Sequence, residues 1–191
     1  ARAPAWPSGA CGSGAANAPE RHPPATLETK GALNTTDTLP EEECTTVLFR
    51  NLPDYVTRAI FLKLIDSEGF AGTYDFVYTP VDFTSQCGLG YAFINFTLPM
   101  VARLFWRQFD GFTKWPVPSD KVGAVNWSVP HQGLSAHVER YRNSPVMHGS
   151  VPDEWKPAVF ADGLRIAFPE PTKVLKAPKI RHALGVALSG S

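Results

Sequence analysis

The sequence predicts an α+β fold in which two helices lie on one face of a four-stranded antiparallel sheet. Three observations predict it. Four short runs carry strand texture, two longer runs between them carry helical spacing, and the elements fall in the order strand, helix, strand, strand, helix, strand. A chain of 191 residues, 43% of them hydrophobic, supports one good core once its irregular ends are set aside.

The first strand lies in "TTVLFRNLP", an apolar, β-branched run from Thr45 that is ended by Asn51 and Pro53. "TRAIFLKLIDSEGF" follows as an amphipathic helix. Thr57 suits its N-cap, Phe61, Leu64, Ile65 and Glu68 repeat at helical spacing, and Gly69 suits the left-handed position past its end. "TYDFVYTP" alternates Tyr74, Phe76 and Tyr78 against Asp75, Val77 and Thr79 as a second strand, and "VDFTSQCG" connects it to the third, "YAFINF". "LPMVARLFWRQFDGF" is the second helix. Pro99 sits in its first turn, Ala102, Phe105 and Phe109 share a face, and Gly111 follows the end. "KVGAVNWSV" supplies the fourth strand. This order describes the ferredoxin-like split βαβ arrangement, which leaves one sheet face open. Beyond it, Leu134, Val138 and Tyr141 predict an extra C-terminal helix from about Gln132 to Arg142, lying beside or across the open sheet. "DEWKPAVF" reads as a strap anchored by Trp155 and Phe160.

The ends differ in texture. Residues 1–43, rich in Ala, Pro, Gly, Ser and Thr, predict a disordered arm, because few large apolar side chains are present to offset ordering entropy. Residues 44–169 make the folded unit. Residues 170–191 read as a flexible basic tail, in which Lys173, Lys176, Lys179, Arg181 and His182 add sequence-independent attraction for phosphate.

In "LGYAFINF", Ala92, Ile94 and Phe96 fall on the helix side, so Tyr91 and Phe93 point outward from the third strand. Two large rings on an open sheet offer stacking faces to unpaired bases. This octamer resembles the Lys/Arg-Gly-Phe/Tyr-Gly/Ala-Phe-Val/Ile-x-Phe/Tyr signature of the RNA recognition motif, and "VLFRNL" resembles the hexamer that accompanies it. The resemblance extends to the Mei-two-like subgroup through "LIDSEGFAGTYDFVYTPVDF", "LGYAFINFT", "QGL" and "NSPVMH", over roughly Cys44 to Phe160. It implies a single-stranded RNA-binding module whose extra helix belongs to the folded unit. Two positions depart from the general signature. Leu89 stands where a basic residue usually pairs with phosphate, and Leu48 where an aromatic usually stands; the subgroup resembled favours Leu and an aliphatic residue there.

The candidate RNA-binding residues are therefore Tyr91 and Phe93 as stacking rings, Arg50 as the cation, Leu48 as an apolar floor, and Asn95 and Asn126 as readers of base edges. The alternative is a protein-interaction module of the same fold, with its sheet face covered or given to a partner; Leu48, Leu89 and a net charge of zero motivate it. Other classes have no signature. No phosphate-cradling glycine loop, nucleophile elbow or carboxylate pair is evident, and His131, His137 and His148 have no metal-ligand spacing, so neither an enzyme nor a cofactor is expected. No apolar run reaches the roughly 20 residues of a membrane span, and no secretion signal opens the chain. The cysteines, Cys11, Cys44 and Cys87, are odd in number and widely spaced, which favours reduced thiols. A nuclear or cytoplasmic protein is the expectation.

Overall fold

The computed structural model describes residues 40–178, so most of the N-terminal arm and the last part of the basic tail lie outside the described residues. The elements are β1 (Thr46–Arg50), α1 (Arg58–Ile65), β2 (Tyr74–Tyr78), β3 (Tyr91–Phe96), α2 (Pro99–Phe109), β4 (Ala124–Trp127), α3 (Gly133–Arg142), β5 (Ala158–Ala161) and β6 (Leu164–Ile166). All six strands form one antiparallel sheet in the order β4-β1-β3-β2-β5-β6. The central four carry the expected connectivity. The sheet is two strands wider than the sequence suggested because "AVFA", expected as part of a strap, pairs with β2 and turns back on itself through Asp162 and Gly163, both at positive φ.

Helices α1 and α2 cover one face. Val47, Phe49, Ala92, Ile94, Phe96 and Val125 from the sheet bury against Phe61, Leu64 and Ile65 of α1 and Ala102, Phe105 and Phe109 of α2. Phe49 is the hub, its ring centroid 5.5 to 6.0 Å from those of Phe61, Phe105 and Phe109. Aromatic pairs at this spacing add to the burial of apolar area. Gly123, buried just before β4, keeps this ring in place: an added Cβ would lie 2.6 Å from Phe49 Cε2. Thr57 caps α1 as expected, its hydroxyl accepting from Ile60 N at 3.3 Å, and Gly69 takes φ 96° after the helix.

One strand departs from simple alternation. The register of β2 against β3 shifts between Tyr74, opposite Phe96, and Phe76, opposite Asn95. The bulge reverses the strand's parity. Tyr74 therefore joins the helix-side core, 5.1 Å from Phe160 and donating to Asp66 Oδ1 at 2.9 Å, while Phe76 and Tyr78 turn to the other face. The sequence had placed all three rings together.

On that other face the extra helix takes the second of its two expected positions, across the sheet rather than beside it. Helix α3 lies across it and makes a second apolar layer from Phe76, Tyr78, Tyr141, Val146, Val151 and Val159, with Phe93, Leu134 and Val138 against them. Its start is pinned by Gln132, just ahead of the helix. The Gln132 Oε1 accepts from the amides of Thr45 (3.0 Å) and Thr46 (2.8 Å), and its Nε2 donates to the carbonyls of Thr46 (2.8 Å) and Ser128 (3.0 Å). Gly133, at φ 84°, donates its amide to Thr46 Oγ1. The segment "QGL" thus ties α3 to the start of β1.

The strap before β5 is held by Arg58, which donates to the carbonyls of Asp153 (2.7 Å) and Lys156 (2.6 Å) and to Asp153 Oδ2 (2.8 Å). Phe160 anchors in the helix-side core, and Trp155 packs half-buried against Phe83 in the second layer. Cys44 is buried, and Cys11 lies outside the described residues. No helix among the described residues is long and apolar enough to cross a membrane.

Candidate nucleic-acid interface

Strand register sorts the face opposite α1 and α2 into three rows. The first, Thr46, Asn95, Phe76 and Val159, is buried beneath α3, none of its members more than 3% exposed. The second runs Asn126, Leu48, Phe93 and Tyr78, and grades from exposed through half-buried to buried as it passes under the helix. The third, Ala124, Arg50 and Tyr91, lies beyond the helix. What remains open is therefore the half of the sheet on β4, β1 and the start of β3.

The two stacking candidates are treated unequally by this gradient. Tyr91 and Phe93 stand edge to face, 5.8 Å apart at 87°. Phe93 leans against His137 of α3 at 5.5 Å, whereas Tyr91 sits opposite Arg50 across the β1–β3 pair. Both rings are half-buried, and burial raises the pKa of the Tyr91 hydroxyl. Arg50 and Asn126 are exposed, and Leu48 lies half-buried between Asn126 and Phe93, as a floor would.

Asn95 does not belong to the open patch. Its Oδ1 accepts from the hydroxyls of Thr45 (2.7 Å) and Thr46 (2.6 Å), and its Nδ2 donates to Asp75 Oδ1 (2.7 Å) and the Phe96 carbonyl (3.3 Å). A base edge finds neither access nor a free donor there, so the expected reading role is replaced by a buried tether joining β1, β2 and β3. Asp75 shares its cost: burial pushes its carboxyl pKa up, against the lowering pull of the Asn95 bond.

Beneath α3, His137 is fully buried between Phe76, at 5.0 Å, and Phe93. Its Nε2 lies 3.3 Å from the His131 carbonyl, which assigns the proton to that nitrogen, and its Nδ1 has no hydrogen-bond partner. Desolvation lowers its pKa to about 4, outweighing the raising effect of the His131 bond. Tyr141 completes the lid, stacked 5.9 Å from Phe76 and edge to face with Tyr78 at 4.7 Å.

Sequence reasoning missed Arg140. It sits next to Tyr141 but off the stripe of Leu134, Val138 and Tyr141, the one signal that marked it as facing away from the apolar layer. Its Cζ is 5.6 Å from the Tyr141 ring centroid, one of its terminal nitrogens is 2.9 Å from His131 Nε2, and its charge acts on the Tyr91 hydroxyl. Of the basic tail, Lys173 and Lys176 are described and exposed; Lys179, Arg181 and His182 lie outside the described residues. Among the described residues no three His, Cys, Asp or Glu side chains converge as metal ligands would.

With this geometry in hand, comparison with known proteins is specific. The family model for RNA recognition motif 2 matches residues 44–142. Protein MEI2-like 3 of Oryza sativa subsp. japonica is 37% identical over 137 residues, 70% of this chain and 14% of that protein. Protein MEI2-like 3 of Arabidopsis thaliana is 35% identical over 130 residues, 68% of this chain and 16% of that protein. The chain thus matches only a small part of the length of these relatives. Among solved structures, the Rna15 RRM with bound RNA (GU) aligns with TM-score 0.38 at 18% identity, covering 50% of this chain and 94% of that one. The Sxl-lethal protein/RNA complex aligns with TM-score 0.39 at 21% identity, covering 47% and 49%.

Proposed function

Because the chain belongs to the RNA recognition motif 2 family, we propose that it binds single-stranded RNA on the uncovered half of its sheet. The observation that carries this reading is the Arg50–Tyr91 pair, an exposed guanidinium opposite an outward-facing ring on a surface that α3 leaves open. Tyr91 stacks a base, the free edge of Phe93 supports a second, and Leu48 forms an apolar floor. Arg50 pairs with phosphate or lies flat on a base, and Asn126 offers its amide to a base edge. The rows beyond Phe93 are closed by α3, so the platform takes fewer bases than a fully open four-stranded sheet. A setting in the nucleus or cytoplasm, where RNA is found, is part of the same proposal.

A second reading, a protein-binding module, is favoured by one observation: the apolar half of the face is already occupied by α3, as in modules that bury this surface. Fluorescence-anisotropy titration separates the two, using a random single-stranded RNA pool and its DNA equivalent at two salt concentrations. The RNA reading expects Tyr91→Ala to weaken binding by about 1–3 kcal/mol, roughly fivefold to a hundredfold, with its melting curve unchanged. Phe93→Ala is the poorer probe, because that ring also supports α3. Unchanged affinity in folded Tyr91→Ala removes the stacking mechanism, and absence of RNA binding by the wild type leaves the protein-binding reading in its place.

A further inference from the structure

We propose that Arg140 is a phosphate contact for the bound strand, making the flank of α3 the second wall of the RNA groove. This rests on the RNA-binding reading above and adds a residue from outside the sheet. The octamer opens with Leu89, so the cation usual at that end of β3 is missing from the strand itself. Arg140 brings a guanidinium to the neighbourhood of Tyr91 from a different element.

Three features support it. First, position. His137 and Tyr141 press onto the sheet, and Leu134 and Val138 pack on the same apolar layer. Helical spacing puts Arg140 off that stripe, exposed on the flank of α3 beside His131. Its Cζ lies 5.6 Å from the ring of Tyr141, which meets Tyr78, the covered end of the second row, at 4.7 Å, and its charge lowers the pKa of the Tyr91 hydroxyl against the raising effect of burial. Second, preorganisation. The side chain is held by His131 Nε2 and lies beside the Tyr141 ring, so less rotamer freedom is lost on binding. Third, charge. Among the described residues Arg58, Arg142, Arg165 and Lys121 are all paired with carboxylates, whereas neither Arg140 nor Arg50 is. Two guanidiniums without carboxylate partners therefore stand at the two ends of the ring series Tyr91, Phe93, Tyr78 and Tyr141, Arg50 on β1 and Arg140 on α3. The rows between hold no acidic side chain: they are Ala124, Asn126, Leu48, Phe93 and Tyr91. A strand stacked on Tyr91 has its phosphates beside one or both cations.

The test compares Arg140→Gln with wild type, with Tyr91→Ala, and with Arg107→Gln, which removes one exposed charge from α2 on the opposite sheet face. Each is titrated with a fixed single-stranded RNA oligonucleotide between 0.05 and 0.3 M salt. One lost single-strand phosphate contact lowers the slope of log affinity against log salt by about 0.7, which corresponds to about fivefold weaker binding at 0.1 M. The proposal expects that change in Arg140→Gln and none in Arg107→Gln. It is overturned alone if Tyr91→Ala loses affinity while Arg140→Gln keeps the wild-type slope, or if both glutamine variants shift equally, which is a net-charge effect. If wild type binds no single-stranded RNA, it falls together with the function it rests on.

Discussion

Replacing Gln132 with alanine tests whether α3 is a fixed part of the fold. The side chain makes four hydrogen bonds, and their loss is unequal. The Thr46 amide, in a residue with no exposed surface, loses its partner; an orphaned buried donor costs about 1–3 kcal/mol. The Thr46 carbonyl keeps a bond from Ser128 N at 3.0 Å, and the half-buried Thr45 amide can reach water, so these losses and that at the Ser128 carbonyl are about 0.5 kcal/mol each. The sum is about 3 kcal/mol. With a urea m-value on the order of 2 kcal/mol per M, the midpoint falls by about 1.5 M. Gln132→Glu sharpens the test, since a carboxylate still accepts from the two amides and fails to donate to the two carbonyls; it is expected to be at least as destabilising. A midpoint within about 0.3 M of wild type for the alanine variant, at unchanged m, would refute the claim that this residue holds the helix down.

Two further outcomes follow from the packing. Gly123→Ala drives a methyl group into the Phe49 ring and is expected to lower stability by about 1–3 kcal/mol, read as a fall in melting temperature without loss of the folded baseline. His137, buried and neutral, has a folded pKa near 4 against about 6.5 for the free side chain, so the unfolded chain takes up the proton first. Its contribution is fully present above pH 6.5 and is lost as pH falls toward 4; at pH 4.5 the loss amounts to about 2–3 kcal/mol. Urea midpoints of His137→Leu, which also removes the unpartnered Nδ1, should depend less on pH over this window than those of wild type. Parallel pH profiles for the two proteins would show that burial does not keep this ring neutral.

The parts of the molecule legible in the sequence are those set by local periodicity. Thr57, Gly69 and Pro99 marked helix ends, and the alternation of Ala92, Ile94 and Phe96 with Tyr91 and Phe93 gave β3 its two faces. What was not legible depends on where elements meet. Tyr74, Phe76 and Tyr78 share a parity along the chain, and only the bulge against β3 separates them. Asn95 has the parity of the open face, yet α3 and two threonines enclose it, because burial on that face is decided by a helix about 40 residues further on. Arg140 escaped for the same reason, being one more charged helix residue until α3 is laid on the sheet.

The hairpin of β5 and β6 changes what the sheet shows to other chains. In a four-stranded version β2 would be an outer strand, an apolar run of backbone donors and acceptors able to recruit a neighbour and seed aggregation. Here β5 occupies that border, and the border passes to β6, only three residues long. Its Arg165 is tied to Asp153 at 2.6 Å, and Pro169 and Pro171 follow shortly after, so little uninterrupted backbone is left for an incoming strand. The segment that seemed a mere strap is thus a guard against edge-to-edge association, which allows so aromatic a β2 to persist in a protein of zero net charge.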